Sequence, residues 1–529
     1  MFSGRKNTIP LKTQNVKQTL KLMRHLMIII FLFFYTRPSV AQLPIPTPEK
    51  IQSTQRTFHL KDKYPTVYVV DKSASYLELL QKEVLHTTSI RLSNQKQKAT
   101  ISFISDSSLP SESYKIHITQ KHIEIHAKDK GGFIYAVQTL RQWVSMEQGH
   151  PTFACADITD SPRLNWRCFM LDSGRQFQKV PTIKKYIDMA SLLKMNRFHW
   201  HLTEGLGWRI EIKHYPELTR TGAFVGKGTE QQGYYSQEDI REIVKYAIDR
   251  NITIVPEIDM PGHAEAALSA YPELGCFGTP IEVPENGFTQ NIFCAGKETT
   301  IAFLKNVLDE VCELFPSTYI HLGGDEALKG NWNKCPDCQQ TIKKEKLKGS
   351  HDLQLWFSSQ MADYLKAKGR KAIFWGDIVY EDGYPLPDNI VIQWWNWRGH
   401  KDLALKNAIR NGYPVICSTN CYMYLNFPVT PWKGYDKNRT FDLKDVYLHN
   451  PSYKTEENPL IIGMTCALWT DYGVTENMID NRLFPRILAV AEQMWYKGEL
   501  CSFDTFYNNV LQKKNWFNKQ GFQFGPALK

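Results

Sequence analysis

Apolar positions follow two different rhythms along this chain. Thr66–Val70, Ala99–Ile104, Tyr114–Ile118 and His122–Ala127 alternate apolar with polar residues, the period of a half-buried strand. Gly131-Gly132 then opens a stretch, Phe133–Val144, in which Ile134, Val137, Leu140 and Trp143 recur at helical spacing. This predicts a small α/β domain over 61–152, with 42–60 as a Pro- and Thr-bearing lead-in.

From Asp157 onward the pattern becomes strand, polar loop, helix, repeated. Trp166–Asp172, Asn196–Leu202, Ile252–Ile258, Thr318–Leu322, Ala372–Trp375, Ile390–Trp394, Pro414–Cys417 and Ile461–Trp469 read as strands. Helical patterns over Thr182–Lys194, Gln237–Arg250, Glu298–Leu314, Leu353–Lys368 and Ile479–Trp495 fall between or after them. Eight strands alternating with helices predict a parallel (β/α)8 TIM barrel over 157–500, with 501–529 as a tail packed on it. An open doubly wound sheet would want a Gly-rich phosphate turn after its first strand, and none stands there.

Composition supports a globular chain of more than one domain, with 42% hydrophobic and 22% charged residues over a length of 529. The charge of +10 is misleading. Residues 1–41 hold seven basic residues and no acid, and without them the balance falls to +3. Nucleic-acid binding therefore has no electrostatic support. The same residues predict a signal peptide, with Met23 as an alternative start: basic Lys21–His25, apolar Leu26–Tyr35, and Ser39-Val40-Ala41 before a cut. The apolar run is too short to span a bilayer, so the expectation is an exported protein, periplasmic or secreted, without a stable membrane span. Eleven cysteines in such a chain permit disulfides. Cys335-Pro-Asp-Cys338 could be a redox pair, half a zinc site or a local disulfide. The disulfide is favoured because no second Cys-x-x-Cys pair stands in the sequence, and Cys276 with Cys294 could form another.

A barrel of this kind presents its chemistry at the C-terminal ends of its strands. Those ends carry Asp172 and Arg175; His199, His201 and Glu204; Glu257, Asp259 and His263; Asp325 and Glu326; Trp375 and Asp377; Trp394, Trp395 and Trp397; Tyr422, Tyr424 and Asn426; Trp469 and Asp471. Acids and indoles at one mouth suit a neutral, hydroxyl-rich ligand and suit a phosphate poorly. The focus is His321-Leu-Gly-Gly-Asp-Glu-Ala327, where a short strand and a tight glycine turn deliver two adjacent carboxylates.

Several ordered motifs resemble glycoside hydrolase family 20, the β-N-acetylhexosaminidases. They are Arg167-Cys-Phe-Met-Leu-Asp172-Ser-Gly-Arg175, Asn196-Arg-Phe-His-Trp-His-Leu202, Gly207-Trp-Arg-Ile-Glu-Ile212, Pro256-Glu-Ile-Asp-Met-Pro-Gly-His263, His321–Glu326 and Leu468-Trp469. The resemblance implies exo-acting, retaining hydrolysis of a terminal β-linked N-acetylhexosaminide in which the substrate's acetamido oxygen is the nucleophile. Asp325 then steadies that group and Glu326 is the general acid and base. Arg167 is expected to bind ring hydroxyls, and Trp375, Trp395 and Trp469 to wall the sugar and its acetamido group. Tyr424 should hold the acetamido oxygen, His263 support the acids, and Glu204 and Asp259 support the network. The resemblance calls for no metal and no cofactor, and for an oligosaccharide or glycoconjugate as partner.

Three positions depart from the family's usual pattern. Thr203-Glu204-Gly205 stands where many members have Asp-Asp, Asn426 replaces an Asp, and Asp471 replaces a Glu. A neutral Asn426 beside the sugar's 6-position suggests tolerance of 6-O-sulfated N-acetylglucosamine, since one like charge removed at a few Å is worth on the order of several kcal/mol before screening. Two other readings are a sugar-binding protein on an inactive barrel, and a metal-dependent hydrolase using His199, His201, Asp259 and His263.

Overall fold

The structure is a computed structural model, and it describes residues 43–525 apart from 70, 72–73, 227–230, 430–440, 456–457 and 472. The expected signal peptide, 1–41, lies outside the described residues. From Pro44 onward the chain forms one compact unit.

Its first part is a mixed sheet: β1 (Lys50–His59), β2 (Thr66–Tyr68), β3 (Arg91–Ser93), β4 (Ile101–Ser105), β5 (Tyr114–Ile118), β6 (Ile123–Ala127), β7 (Ser145–Glu147) and β8 (His150–Asp160). The strand order is β1-β8-β5-β6-β4-β2-β3, with β7 on β8. Helix Lys130–Trp143 covers it, with Ile134, Val137, Leu140 and Trp143 buried as their spacing demanded. Two features differ from expectation. The lead-in 42–60 contains β1, an edge strand so exposed that it shows no apolar alternation. Strand β8 runs through the expected domain boundary and pairs with both β1 and β5.

The second part is a closed barrel of eight parallel strands: β9 (Trp166–Asp172), β10 (Arg197–His201), β13 (Thr253–Glu257), β14 (Tyr319–His321), β15 (Lys371–Trp375), β16 (Ile390–Trp394), β17 (Val415–Cys417) and β18 (Ile461–Leu468). A small hairpin, β11 (Thr203–Glu204) with β12 (Gly207–Trp208), follows the second barrel strand. The barrel interior is layered. Trp166, Cys168, Val255, Ile373, Val391 and Ile416 make an apolar lower layer, and Met170, Trp375, Tyr424 and Trp469 cluster above it at the C-terminal mouth. Between them sits Glu257, fully buried, which accepts from His199 Nε2 at 2.9 Å, from His201 Nδ1, and from Trp375 Nε1 at 2.8 Å. A buried carboxylate is tolerated there because its lone pairs are satisfied.

Beneath the barrel, Arg167 is wholly buried. Its guanidinium donates to Lys194 O (2.7 Å), Leu164 O (2.6 Å) and Glu112 Oε2 (2.8 Å), the last reaching over from the loop before β5. Asn196 and Asn251 also donate to Glu112. The expectation that Arg167 binds sugar is therefore wrong. It lies near the start of β9, so its side chain closes the barrel floor while the pocket opens at the other end.

Candidate active site

Strand β14 ends at His321, and Gly323-Gly324 turns the chain with φ of +65° and +95°. Gly323 cannot be replaced quietly, because a Cβ there would fall 1.6 Å from Asp259 Oδ1. Asp259 accepts from Gly324 N at 3.2 Å, and Trp375 N donates to Gly323 O at 2.9 Å. The turn is thus clamped from both neighbouring strands. It delivers Asp325 and then Glu326, a non-glycine residue at φ +46°, and a left-handed conformation at such a residue marks a functional position often enough to be noted.

Both acids line one cavity of about 900 Å³ at the barrel mouth, together with Arg175, Glu204, His263, Trp395, Tyr424, Asn426, Trp469 and Asp471. Trp395 and Tyr424 face each other nearly parallel, 7° apart with centroids separated by 6.3 Å. Trp469 stands 5.8 Å from Tyr424 and 5.8 Å from Trp375, whose buried indole lies beneath. These four rings form a cup with an apolar wall.

The acids are connected to the barrel interior by a relay of charges. His263 Nδ1 donates to Glu204 Oε1 at 2.8 Å, and its Nε2 lies 3.6 Å from Asp325 Oδ2 and 3.7 Å from Glu326 Oε2. Glu204 also holds His201 Nε2 at 3.2 Å and Arg175 Nη2 at 3.4 Å. Burial opposes the His263 charge, but Glu204 and Asp325 outweigh it and raise its pKa well above the ordinary value. Burial likewise opposes the Glu204 anion, and Arg175 and His263 override it, so Glu204 stays ionised. Glu326 is half-exposed, and partial desolvation together with the adjacent Asp325 raises its pKa. Asp259, raised by burial and then by Asp325, is pushed the same way. Among the described residues, Asp325 Oδ1 and His263 Nε2 are buried without a hydrogen-bond partner. Two orphaned polar atoms aimed into a cavity mark a receptor for a polar ligand.

Arg175, three residues beyond β9, takes the place in the pocket that Arg167 was expected to fill. Its guanidinium donates to Asp172 at 3.1 Å and lies over the Trp469 ring at 5.0 Å. Asp377 had no expected role. Its carboxylate accepts from Trp395 Nε1 at 2.6 Å and from Glu326 N at 3.4 Å, tying an aromatic wall to the backbone of Glu326. Burial and Asp325 raise its pKa to about 7. Its place two residues past Trp375 was the available signal. The loop bearing Glu285, Asn286 and Phe288 also lines the cavity, and no periodicity announced it.

Three groups could chelate a cation here: His199–Glu257–His321, His201–Glu204–Asp259 and Asp259–His263–Asp325. In the first two, imidazole nitrogens are already hydrogen-bonded to the acids. A fourth group, Cys276, Cys294, Cys335 and Cys338, lies outside the pocket lining. All its thiols are free, which corrects the expectation of disulfides at Cys335–Cys338 and Cys276–Cys294. Among the described residues no helix is long and apolar enough to cross a membrane.

Comparison with known proteins gives a consistent picture. Residues 164–498 match the family model described as glycosyl hydrolase family 20, catalytic domain, and residues 44–161 match domain 2 of the same family. A β-hexosaminidase of Porphyromonas gingivalis is 36% identical over 479 residues, covering 85% of this chain; the chain spans 60% of that relative's length. A crystal structure of β-N-acetylhexosaminidase from Bacteroides fragilis superposes with a TM-score of 0.88 at 63% identity, over 92% of this chain and 97% of that one. An exo-β-N-acetylglucosaminidase from Vibrio harveyi, solved with N-acetylglucosamine, gives 0.82 at 27% identity over 92% and 79%.

Proposed function

The chain belongs to glycosyl hydrolase family 20, and from that membership we propose that it is an exo-acting, retaining β-N-acetylhexosaminidase releasing terminal β-linked N-acetylglucosamine or N-acetylgalactosamine. One observation carries the reading. Asp325 and Glu326 enter the same cup from one turn, both within 4 Å of His263 Nε2. Adjacent acids on one side of a sugar are poorly placed as nucleophile and opposing acid, and an acetamido group that supplies the nucleophile removes that difficulty.

The steps follow from the protonation states. Glu326, whose pKa is raised by partial desolvation and by Asp325, is the group that in its protonated form gives a proton to the leaving oxygen as the glycosidic bond breaks and the acetamido oxygen bonds to C1. Asp325 accepts the acetamido N–H through its orphaned Oδ1 and offsets the positive charge growing on the oxazolinium ring. Glu326, now ionised, takes a proton from water as that water attacks C1, reopening the ring with the β-configuration retained. Tyr424 and Trp375 enclose the acetamido group, Trp469 supports the sugar face, and Arg175, Asn426 and Asp471 bind ring hydroxyls. Hydrolysis of 4-nitrophenyl N-acetyl-β-glucosaminide followed by NMR tests this directly. The β-anomer must appear first, and initial α-anomer would overturn the mechanism.

A finer specificity is supported by Asn426, whose amide donates to Asp471 at 3.1 Å. Among the described residues, the carboxylate that Asn426 touches is Asp471, and burial raises its pKa to about 6 even beside Arg175. We propose that a 6-O-sulfated N-acetylglucosamine is accepted, and that the protein acts after export, a reading supported by the basic and apolar pattern of residues 21–41.

A further inference from the structure

Two cysteine pairs that sequence spacing left unrelated to each other converge beside the loops that carry the active site. Cys276 and Cys294 close the long loop after β13, and Cys335 and Cys338 open helix Pro336–Lys344 after the catalytic turn. The sulfurs of Cys294 and Cys338 are 3.5 Å apart, those of Cys294 and Cys335 3.7 Å, and those of Cys276 and Cys338 4.0 Å; all four lie within 4.8 Å of one another.

We propose that these four side chains form a structural zinc site of the tetrathiolate type. Four sulfurs about 2.3 Å from a central ion stand roughly 3.8 Å from each other, the spacing found here. Cys294 touches both Cys335 and Cys338, and Cys338 touches both Cys276 and Cys294. Two disulfides can satisfy only one partner for each sulfur, whereas an ion satisfies all four. Three of the cysteines are fully buried and Cys276 is 9% exposed, so the site is closed, with no open position for a substrate. A tetrahedral all-sulfur set selects zinc or an iron–sulfur centre, and one compact tetrahedron fits a single ion.

The backbone around the cluster fits a closed site. Cys335 caps a nine-residue helix with Pro336 at its first turn, so the positive end of that helix faces the sulfurs. Gly296 has no room for a side chain, since a Cβ would meet Cys338 N at 2.3 Å. Binding needs no redox step: Zn–S bonds form, and any thiol still protonated releases its proton to solvent.

The ion would join two segments that both reach the pocket. Cys276 and Cys294 bracket the loop whose Asn286 and Phe288 line the cavity, and Cys335 stands nine residues after Glu326. The site is a brace for the pocket wall and carries no chemistry of its own.

Metal analysis of the purified full-length protein is the test. About one zinc per chain is expected, together with a mercurial-triggered release of that zinc. Cys338→Ser should lose most of it and raise KM more than it lowers kcat, while Cys501→Ser, at an exposed thiol outside the cluster, keeps it. Should Cys338→Ser fail to fold, the wild-type metal content decides alone. Metal-free wild-type protein with the four thiols reduced would overturn the proposal, as would disulfide-linked peptides joining any of the four.

Discussion

His263 gives its Nδ1–H to Glu204 at 2.8 Å, and this bond aims its other nitrogen at the two adjacent acids. Glu204 is the anion that keeps His263 charged despite burial. Glu204→Gln should therefore lower the His263 pKa and reduce kcat about 10- to 100-fold, the scale of one charge-assisted hydrogen bond. NMR titration of the His263 imidazole checks it, because its proton should come off at a lower pH in the variant than in the wild type.

The basic limb of kcat/KM should belong to Glu326. Its pKa is raised by desolvation and by Asp325, and the first step needs its proton, so activity is lost as pH rises through that value. Asp325→Asn removes the like charge, and the limb should then move to lower pH while the rate drops about 10²–10³-fold. Glu326→Gln should cost about 10²–10⁴-fold on natural linkages, and less on 4-nitrophenyl glycosides, whose leaving group needs little protonation. A basic limb unchanged in Asp325→Asn would remove Glu326 from the role.

Two arginines of one motif should fail in different ways. Arg167→Ala strands Glu112 and should destabilise the fold by about 3–5 kcal/mol, as broken buried ion pairs do, with near-normal KM in the surviving protein. Arg175→Ala should raise KM strongly with a smaller loss of stability, because its partners line the pocket. Urea unfolding and steady-state kinetics on both variants separate the two.

Sulfated substrate should have its own pH dependence. Asp471 titrates near about 6, and its neutral form repels an incoming sulfate less. The ratio of kcat/KM for 6-sulfated over plain 4-nitrophenyl N-acetyl-β-glucosaminide should rise as pH falls through that value, and should flatten in Asp471→Asn. Absence of any turnover of the sulfated glycoside would end the specificity proposal.

The barrel was legible because most of its strands are short, largely apolar stretches separated by helical patterns, and reading the residues at and just beyond their C-terminal ends gathered Asp325, Glu326, His263, Tyr424 and Trp469 at one mouth. Arg167 misled because a motif shows sequence neighbours and hides which end of a strand each occupies; Arg175, eight residues on, is at the other end. Strand β1 was not legible because it is exposed along most of its length and so leaves no alternation. The convergence of the two cysteine pairs was missed for a related reason. Their ligand geometry is set by loops of unequal length folding back on each other, which periodicity does not encode.

The ionic plug under the barrel has a consequence for how this chain can be divided. Glu112 comes from the sheet domain, yet its partners Arg167, Asn196 and Asn251 belong to the barrel. A catalytic half excised at residue 161 would inherit an unneutralised guanidinium in its own foundation. The two halves are therefore not interchangeable modules, and any recombined or minimal version of the enzyme has to bring residue 112 with it.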